Sequence, residues 1–262
     1  MIEISIITPT FNRKKLLVRS IESSFNFLYG INKEIIIIDD NSEDDTETYL
    51  EEKYQNEIID NKLKIFKLNK NLGVTGAKNN GIFHASGEWL VFMDSDDYFP
   101  PECTANFIKE IQDNQHYDLL FFRCRNENGK LIGSSRIKSE ITLKELLNNG
   151  TPGECLPVIK KEAFKQTLYK EYLRGGEAIT YLEMLSKGKK AYISEIIARV
   201  YDDTGDDRLC TKAQIKNRSK QMIVFNILKL KFIKHMTPKT LFGTLGRILY
   251  YSYISITKLS KK

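Results

Sequence analysis

Histidine, cysteine and long apolar runs are scarce in this chain. Its 262 residues include three histidines and four cysteines. The cysteines form no Cys-x-x-Cys pair and adjoin no histidine cluster, which argues against a zinc site or a disulfide framework and predicts a reducing cytoplasm. They are Cys103, Cys124, Cys155 and Cys210. No apolar stretch reaches about twenty residues and no signal-peptide pattern is visible, so we expect neither a membrane span nor secretion.

Two glycine-rich signatures of nucleotide binding are also missing. Residues 71–81 contain three glycines, but they form neither Gly-x-x-x-x-Gly-Lys-Ser/Thr nor Gly-x-Gly-x-x-Gly after a strand. The absence of both patterns argues against a P-loop NTPase and against a Rossmann dehydrogenase.

Acidic residues are absent from the last fifth of the chain. Residues 211–262 hold twelve lysines and arginines and no aspartate or glutamate, while residues 1–210 hold the other 28 basic residues and all 34 acidic ones. The net charge of +6 therefore divides into an acidic body and a strongly basic tail. We expect these two parts to face different partners.

The chain does contain a succession of short apolar strands and amphipathic helices. Ile2 to Thr8 and Ile35 to Ile38 have the pattern of buried strands. The residues from Arg13 to Leu28 have apolar positions at helical spacing, with Asn12 as the expected N-cap. This alternation predicts a doubly wound α/β sheet. A chain of this length fits one large domain or one domain with a helical appendage, and we favour the second.

The stretch from Gly87 to Pro101 is the most informative. Five mostly apolar residues, Trp89 to Met93, predict a strand covered on both faces. Asp94, Asp96 and Asp97 follow it at the edge of the sheet, where open α/β folds bind ligands. Such close carboxylates are best tolerated beside a cation, for example Mg²⁺ held together with substrate phosphates. The alternative is a solvated acidic turn that caps the following helix.

Several short motifs occur in a fixed order along the first hundred residues. They are Ile-Thr-Pro-Thr-Phe-Asn-Arg at 7–13, Ile-Ile-Ile-Ile-Asp-Asp-Asn-Ser-Glu-Asp-Asp-Thr at 35–46, Asn-Leu-Gly at 71–73, Gly-Ala-Lys-Asn-Asn-Gly at 76–81, Ala-Ser-Gly-Glu-Trp at 85–89 and Met-Asp-Ser-Asp-Asp at 93–97. Together they resemble the GT-A glycosyltransferases of family 2, of the bacterial polysaccharide or O-antigen type. The resemblance is close over these residues and looser to about residue 205.

The resemblance implies a fold, a division of the chain and an activity. The fold is GT-A, an α/β fold with a single doubly wound, mostly parallel mixed sheet flanked by helices, here with a C-terminal helical appendage. Residues 1–208 would form the catalytic domain, with a nucleotide-sugar-binding half (1–100) and an acceptor-binding half (101–208). Residues 209–262 would form a basic amphipathic helical tail. The implied activity is inverting transfer of a hexose from a nucleotide sugar, which we take to be UDP-linked, to a glycan or lipid-linked glycan.

The resemblance also implies how the donor is held. The loop from Thr8 to Arg13 is similar to the segment that wraps the nucleobase, with Pro9 and Phe11 near the uracil. Asp39 accepts a hydrogen bond from uracil N3–H, whereas Asp40 is the alternative structural acid that holds the loop through backbone N–H groups. The expected donor-contacting residues are Thr8, Pro9, Phe11, Arg13, Asp39, Lys78, Asp94 and Ser95.

At the acidic cluster, the resemblance implies a metal site. Asp94 holds the ribose or base side, Ser95 lies against the ribose and diphosphate, and Asp96 binds the Mn²⁺ or Mg²⁺ that bridges the phosphates. Asp97 orients the sugar or caps the next helix. The metal is needed because the departing nucleoside diphosphate gains negative charge. Lys78 stands where relatives commonly carry arginine, so it offers charge without a bidentate fork.

A general base is expected between Leu173 and Leu185. Gly175 and Gly176 precede a predicted helix, and an acid in its first turn is stabilised by the helix dipole. By resemblance, Glu177 takes the proton of the acceptor hydroxyl. The alternatives are that Glu177 is only a favourable first-turn charge, or that Glu183, nearly two turns further along, is the base.

The loop from Asp202 to Arg208 lacks the histidine that relatives often place there to help bind metal. Asp202 or Asp203 would replace it, or the contact is absent. Arg208 would reach the diphosphate, or form a salt bridge with its acidic neighbours.

The basic tail is predicted to form two helices divided near Thr237 and Pro238. Its basic residues alternate with apolar and aromatic ones, a composition typical of contact with an anionic membrane surface. Packing on the catalytic domain is an equal alternative. Nucleic-acid binding is not expected, because the rest of the chain is acidic and shows no nucleic-acid module. We therefore expect a cytoplasmic protein, or one held peripherally at the inner face of the cell membrane.

Two other functions would use a similar sheet. A nucleotidyltransferase that makes the activated sugar would carry a glycine-rich basic loop near its N-terminus, and this loop is missing. A catalytically silent glycan-binding protein would keep the fold without needing Glu177.

Overall fold

The computed structural model describes residues 3–27, 31–134, 139–202 and 211–259. The strands in these ranges are β1 (Ile4–Thr10), β2 (Lys33–Asp39), β3 (Leu63–Lys67), β4 (Trp89–Phe92), β5 (Leu119–Arg125), β6 (Ser139–Ile141), β7 (Cys155–Lys160) and β8 (Ala191–Val200). The α-helices are α1 (Lys14–Asn26), α2 (Thr46–Lys53), α3 (Gln55–Ile59), α4 (Gly73–His84), α5 (Thr104–Asp113), α6 (Leu143–Asn149), α7 (Glu177–Ser186), α8 (Lys212–Asn217), α9 (Ser219–Lys229) and α10 (Pro238–Leu259). Short 3₁₀ helices cover Pro101–Cys103, Lys161–Phe164 and Leu230–His235.

The strands form one mixed sheet in the order β3-β2-β1-β4-β7-β5-β8-β6. Strand β1 pairs in parallel with β2 and β4, β2 with β3, and β5 with β8. Strand β7 runs antiparallel to β4 and β5, and β6 runs antiparallel to β8. This topology confirms the predicted mostly parallel, doubly wound sheet.

Two apolar cores cover the two faces of the sheet. Because successive side chains of a strand point to opposite faces, Ile35 and Ile37 belong to one core while Ile36 and Ile38 belong to the other. The first core includes Leu17 of α1, and the second includes residues of α4 and α7. Burial on both faces explains why the four residues from Ile35 to Ile38 in β2 are all apolar.

The loops that follow β1 and β2 are joined by side-chain hydrogen bonds. The backbone N–H of Asn12 donates to Ser42 Oγ at 2.9 Å, and Asn12 Oδ1 accepts from the N–H of Glu43 at 2.8 Å. Asn12 has a φ of 54°, a left-handed conformation that asparagine tolerates. The prediction that Asn12 caps α1 is therefore wrong. The helix begins at Lys14, and the Asn12 side chain is engaged 31 residues away.

Asp40 holds the start of α4. Its carboxylate accepts from the backbone N–H of Leu72 at 2.6 Å and from that of Gly73 at 2.7 Å. These N–H groups belong to the unsatisfied donors at a helix N-terminus, where a negative charge is favourable. The structural role considered for Asp40 is thus present, and it connects the edge of β2 to α4.

Sequence pattern in the second half of the chain predicts a helix from Lys160 to Tyr169 and a strand pair from Ala191 to Tyr201, and both predictions are wrong. The segment from Lys160 to Tyr169 forms only a 3₁₀ turn instead of a helix, because Asn79 binds the backbone N–H and C=O of Tyr169 at 3.0 Å each and fixes the chain there. The expected strand pair from Ala191 to Tyr201 is the single strand β8, which pairs with β5 along one edge and with β6 along the other.

The C-terminal helices lie against the second core. Phe232 is buried in that core, and the N–H of Thr237 donates to Asn148 Oδ1 at 2.8 Å. The predicted division near Pro238 is where α10 begins. The expected domain boundary at residues 208 and 209 lies outside the described residues. Within the described ranges, no helix combines the length and apolar character needed to cross a bilayer.

Helix α4 approaches β1 closely at Gly81, and substitution of this glycine tests the contact. A Cβ at Gly81 would lie 2.2 Å from Cγ2 of the buried Ile7. We expect Gly81→Ala to lower the free energy of unfolding by about 1–3 kcal/mol, as overpacking does. Gly246→Ala in α10, where no atom lies within 4 Å, should instead raise it by roughly 0.5–1 kcal/mol. Chemical denaturation measures both, and equal effects would contradict the assigned contact.

Candidate active site

A cavity of about 590 Å³ lies where β1 and β4 end and where α4 and α7 begin. Eight of the ten predicted site residues line it: Pro9, Phe11, Arg13, Lys78, Asp94, Ser95, Asp96 and Glu177. The cavity therefore brings together predicted site residues that are up to 168 positions apart, from Pro9 to Glu177.

Thr8 and Asp39 do not line the cavity. Both side chains are buried, Thr8 within β1 and Asp39 at the end of β2. Asp39 Oδ1 accepts from the N–H of Ser42 at 2.9 Å, while its Oδ2 is buried and has no hydrogen-bond donor among the described residues. Thr10 and Asp40 occupy the cavity wall at these strand ends instead.

Asp94 lies between two buried cations. Its Oδ2 is 3.1 Å from an Arg199 guanidinium nitrogen, and its Oδ1 is 3.7 Å from Lys78 Nζ. Burial alone would raise the pKa of Asp94, but the charges of Lys78, Arg199 and Arg13 outweigh burial and lower it. The neighbouring cations therefore hold this carboxylate ionised.

Arg199 is the main site residue that the sequence analysis missed. It is 2% exposed, and besides Asp94 it contacts Asp97 at 3.2 Å and Glu154 at 3.5 Å. The available signal was an arginine between Ala198 and Val200 at the apolar end of a strand, since a buried arginine needs acids as partners.

Lys78 links the acidic cluster to the expected base. Its Nζ donates to Glu177 Oε1 at 2.9 Å, and burial lowers the pKa of Lys78 less than the charges of Glu177 and Asp94 raise it. Glu177 is the first residue of α7, as predicted. The alternative base, Glu183, forms a salt bridge with Lys170 at 2.8 Å and does not line the cavity.

Asp96 and Asp97 have different surroundings. Asp96 faces the cavity and pairs with Arg13 at 2.8 Å, and burial together with the Asp94 charge raises the pKa of Asp96. Asp97 is 1% exposed, and its Oδ1 accepts from the N–H of Asp202 at 2.9 Å. Burial raises the pKa of Asp97, although the Arg199 charge opposes this. Asp97 thus joins the end of β4 to the segment after β8, and it does not cap the 3₁₀ helix that follows.

The described residues fit a metal only in part. They contain no group of three or more histidine, cysteine or acidic side chains arranged to hold an ion. Asp96 is a cavity-facing carboxylate, and hard cations accept one or two protein carboxylates when phosphate oxygens supply the remaining ligands. Asp96 would hold a cation whose remaining ligands come from phosphate oxygens, in exchange for its contact with Arg13. Asp203 and Arg208 lie outside the described residues.

The C-terminal helices also contribute to the cavity. Ile215 of α8, Arg218, and Met222 of α9 line it. These contacts agree with packing of the tail on the rest of the chain, which was one of the two alternatives for it, although no local pattern indicated its place at the strand ends.

The buried charge network gives a stability prediction. Arg199→Met leaves Asp94 and Asp97 without their shared cation, and breaking a buried pair in this way costs roughly 3–5 kcal/mol. Arg125→Met, which removes a pair with the largely exposed Glu102, should cost no more than about 1 kcal/mol. Urea denaturation of both variants provides the comparison. A loss for Arg199→Met as small as that of the control would show that the network is not a stabilising unit.

Comparison with known proteins identifies relatives of this chain. The family model described as Glycosyl transferase family 2 matches residues 5–173. The GalNAc(5)-diNAcBac-PP-undecaprenol beta-1,3-glucosyltransferase of Campylobacter jejuni is 34% identical over 209 residues, a match that covers 77% of this chain and 65% of that protein. The UDP-Glc:alpha-D-GlcNAc-diphosphoundecaprenol beta-1,3-glucosyltransferase WfaP of Escherichia coli is 28% identical over 236 residues, covering 88% and 87%.

The fold has a close counterpart among solved structures. The crystal structure of S. aureus TarS 1-349 in complex with UDP-GlcNAc superposes with a TM-score of 0.68 at 20% identity, covering 87% of this chain and 66% of that one. This similarity confirms the GT-A architecture. The chain spans less than two thirds of the Campylobacter jejuni protein, but the family model covers more than half of the chain itself. The chain belongs to glycosyl transferase family 2.

Proposed function

We propose that this protein is an inverting hexosyltransferase that uses a UDP-linked sugar and a lipid-linked glycan acceptor in surface polysaccharide assembly. The observation that carries the proposal is one cavity in which Lys78 joins the Asp94 cluster to Glu177. Both sides of a displacement reaction, the leaving diphosphate and the attacking hydroxyl, would find a partner there. The names of the relatives from Campylobacter jejuni and Escherichia coli include undecaprenol-linked glycans, which supports the acceptor class.

The nucleobase would lie at the β1 edge of the cavity. Pro9 and Phe11 line that edge, and Phe11 is 42% exposed, so its ring is available for contact with a base. The buried, unpartnered Oδ2 of Asp39 fits an acceptor for uracil N3–H. Because Asp39 does not line the cavity, that contact requires the loop after β2 to open.

The diphosphate would lie among the cations. Arg13 and Lys78 both face the cavity and are held there by carboxylates, Asp96 and Glu177 respectively. Incoming phosphate oxygens would compete for these cations. Asp94 and Ser95 would face the ribose side, and Asp96 would hold Mn²⁺ or Mg²⁺, which supplies positive charge for the leaving diphosphate when bound.

Glu177 would then act as the general base. In the structure its Oε1 accepts a hydrogen bond from Lys78 Nζ at 2.9 Å. When Lys78 turns to a phosphate, Glu177 is released toward the acceptor hydroxyl. A base on one side of the sugar and the leaving diphosphate on the other lead to direct displacement with inversion.

The location follows from the acceptor. A lipid-linked glycan is presented at a membrane, so we place the enzyme in the cytoplasm against the inner face of the cell membrane. We retain residues 1–208 as the catalytic domain, with donor and acceptor halves at 1–100 and 101–208. The tail, 209–262, completes the cavity wall through Met222.

The base assignment can be tested on α7. Glu177→Gln should lower the rate of UDP release in the presence of acceptor by a factor on the order of 10²–10⁴, the usual contribution of a positioned base. UDP affinity, measured by calorimetry, should persist. Glu183→Gln, on the same helix, is the control and should keep the parental rate. A panel of UDP-sugars with an undecaprenol-linked acceptor provides the assay, and parental turnover in Glu177→Gln would refute the assignment.

The role of Asp96 can be tested through metal dependence. Wild-type protein should bind UDP more tightly with Mn²⁺ than without it, and Asp96→Asn should lose that difference because the carboxylate ligand is gone. Asp60→Asn removes a surface carboxylate and should retain the dependence. Calorimetric titration of UDP with and without Mn²⁺ measures each case. A wild-type affinity unchanged by Mn²⁺ would count against a metal-assisted reaction.

A further inference from the structure

Helix α10 presents an apolar face to solvent along most of its length. Its exposed residues recur at intervals of three and four, which places them on one side of the helix. Their exposed fractions lie between 41% and 72%. We call this set the α10 stripe: Phe242, Leu245, Leu249, Tyr253 and Ile256.

The opposite face of α10 packs on α9 and includes several polar contacts. Thr244 is 0% exposed, Arg247 Nε donates to Asn226 Oδ1 at 3.0 Å, and Ser255 Oγ donates to Ser219 Oγ at 2.8 Å. In an ordinary surface helix the apolar stripe faces the protein and the polar residues face water. The α10 stripe instead faces water, so it is suited to contact with something outside this chain.

Helix α9, the 3₁₀ helix Leu230–His235 and α10 form a helical hairpin. This hairpin carries further exposed apolar residues, and exposed lysines lie along it and on α8. Val224, Ile227 and Ile233 are exposed by 36%, 51% and 48%. The exposed lysines are Lys216, Lys220, Lys231, Lys234 and Lys239. Lys239 stands three residues before Phe242 and therefore near the same side of α10. No aspartate or glutamate occurs anywhere in residues 211–262 to offset these charges.

This charge pattern decides between two possible occupants of the stripe. In a symmetric dimer, the lysine-rich hairpins of two copies would come together with no acidic residue between them, which is unfavourable. Anionic lipid headgroups would neutralise the same lysines. A helix with one apolar face and nearby cations typically lies in the plane of a membrane interface. The stripe spans fourteen residue steps from Phe242 to Ile256, about 21 Å at helical rise.

We propose that α9 and α10 dock this protein on an anionic lipid bilayer, with the α10 stripe in the interface and Lys231, Lys234 and Lys239 among the headgroups. This inference rests on the proposed function in one respect, the location at the inner face of the cell membrane. The α10 stripe is the surface that would hold the enzyme there. Docking would also place the cavity near the bilayer, because α9 supplies Met222 to the cavity wall.

Vesicle co-sedimentation of the full chain tests the proposal. The wild-type protein should bind vesicles of phosphatidylcholine with phosphatidylglycerol, bind pure phosphatidylcholine far less, and be released by salt. Leu249→Ser with Tyr253→Ser should weaken binding by roughly tenfold or more because the interface contact is lost. Lys231→Gln with Lys234→Gln should weaken binding to the anionic vesicles by about tenfold to thirtyfold. Phe83→Ser, at an aromatic residue that is 80% exposed on α4, is the control and should bind as the wild type does.

Further measurements distinguish membrane docking from misfolding and from dimer formation. Circular dichroism and UDP calorimetry should be unchanged in both double variants, since neither changes a cavity residue. Equal vesicle binding by the stripe variant and the wild type would overturn the proposal. So would light scattering that shows a wild-type dimer which the stripe variant dissociates, without vesicle binding, because the occupant would then be a second copy. Anionic vesicle binding without transferase activity would refute the proposed function alone, and activity without vesicle binding would refute the docking surface alone.

Discussion

The buried guanidinium of Arg199 is the interaction on which the site depends. It lies between Asp94 and Asp97 and next to Glu154, so that acids from the end of β4 and from the start of β7 share one cation. Without it, Asp94 and Asp97 would lose their shared cation in a region where burial disfavours charge. Because Arg199 projects from β8, this network also fixes the second half of the sheet to the first at the cavity.

Each carboxylate that would handle substrate already has a cationic partner. Asp96 contacts Arg13, while Glu177 and Asp94 share Lys78. The cavity is therefore close to neutral before a ligand arrives, which keeps it stable. A bound diphosphate would change this balance, because its negative charge would attract Arg13 and Lys78. Asp96 would then be available for a metal and Glu177 for the acceptor hydroxyl. Ligand binding would thus rearrange existing ion pairs instead of filling a region of excess charge.

The sequence predicted the features that depend on local pattern. The apolar run at β2, the acids directly after β4 and Glu177 at the start of α7 lie where expected, because periodicity and helix-end chemistry determine them. Features that depend on distant partners were missed. Asn12 was judged by its neighbours although it bonds to Glu43, and Arg199 acquires meaning only once β8 is known to lie near the acidic cluster. The contribution of Met222 to the cavity likewise depends on tertiary packing.

The hydrogen bonds from the N–H groups of Leu72 and Gly73 to Asp40 would affect how the proposed enzyme selects its nucleobase. Asp40 adjoins Asp39, the expected acceptor for the base. Leu72 and Gly73 begin α4, which carries Lys78 six positions after Leu72. A rigid helix transmits a shift of its first turn to the next, so a base that displaces the loop after β2 would reposition the lysine ammonium. Discrimination between nucleobases would then be expressed in turnover as well as in affinity, because an ill-fitting base would leave that ammonium misplaced at the reacting centre.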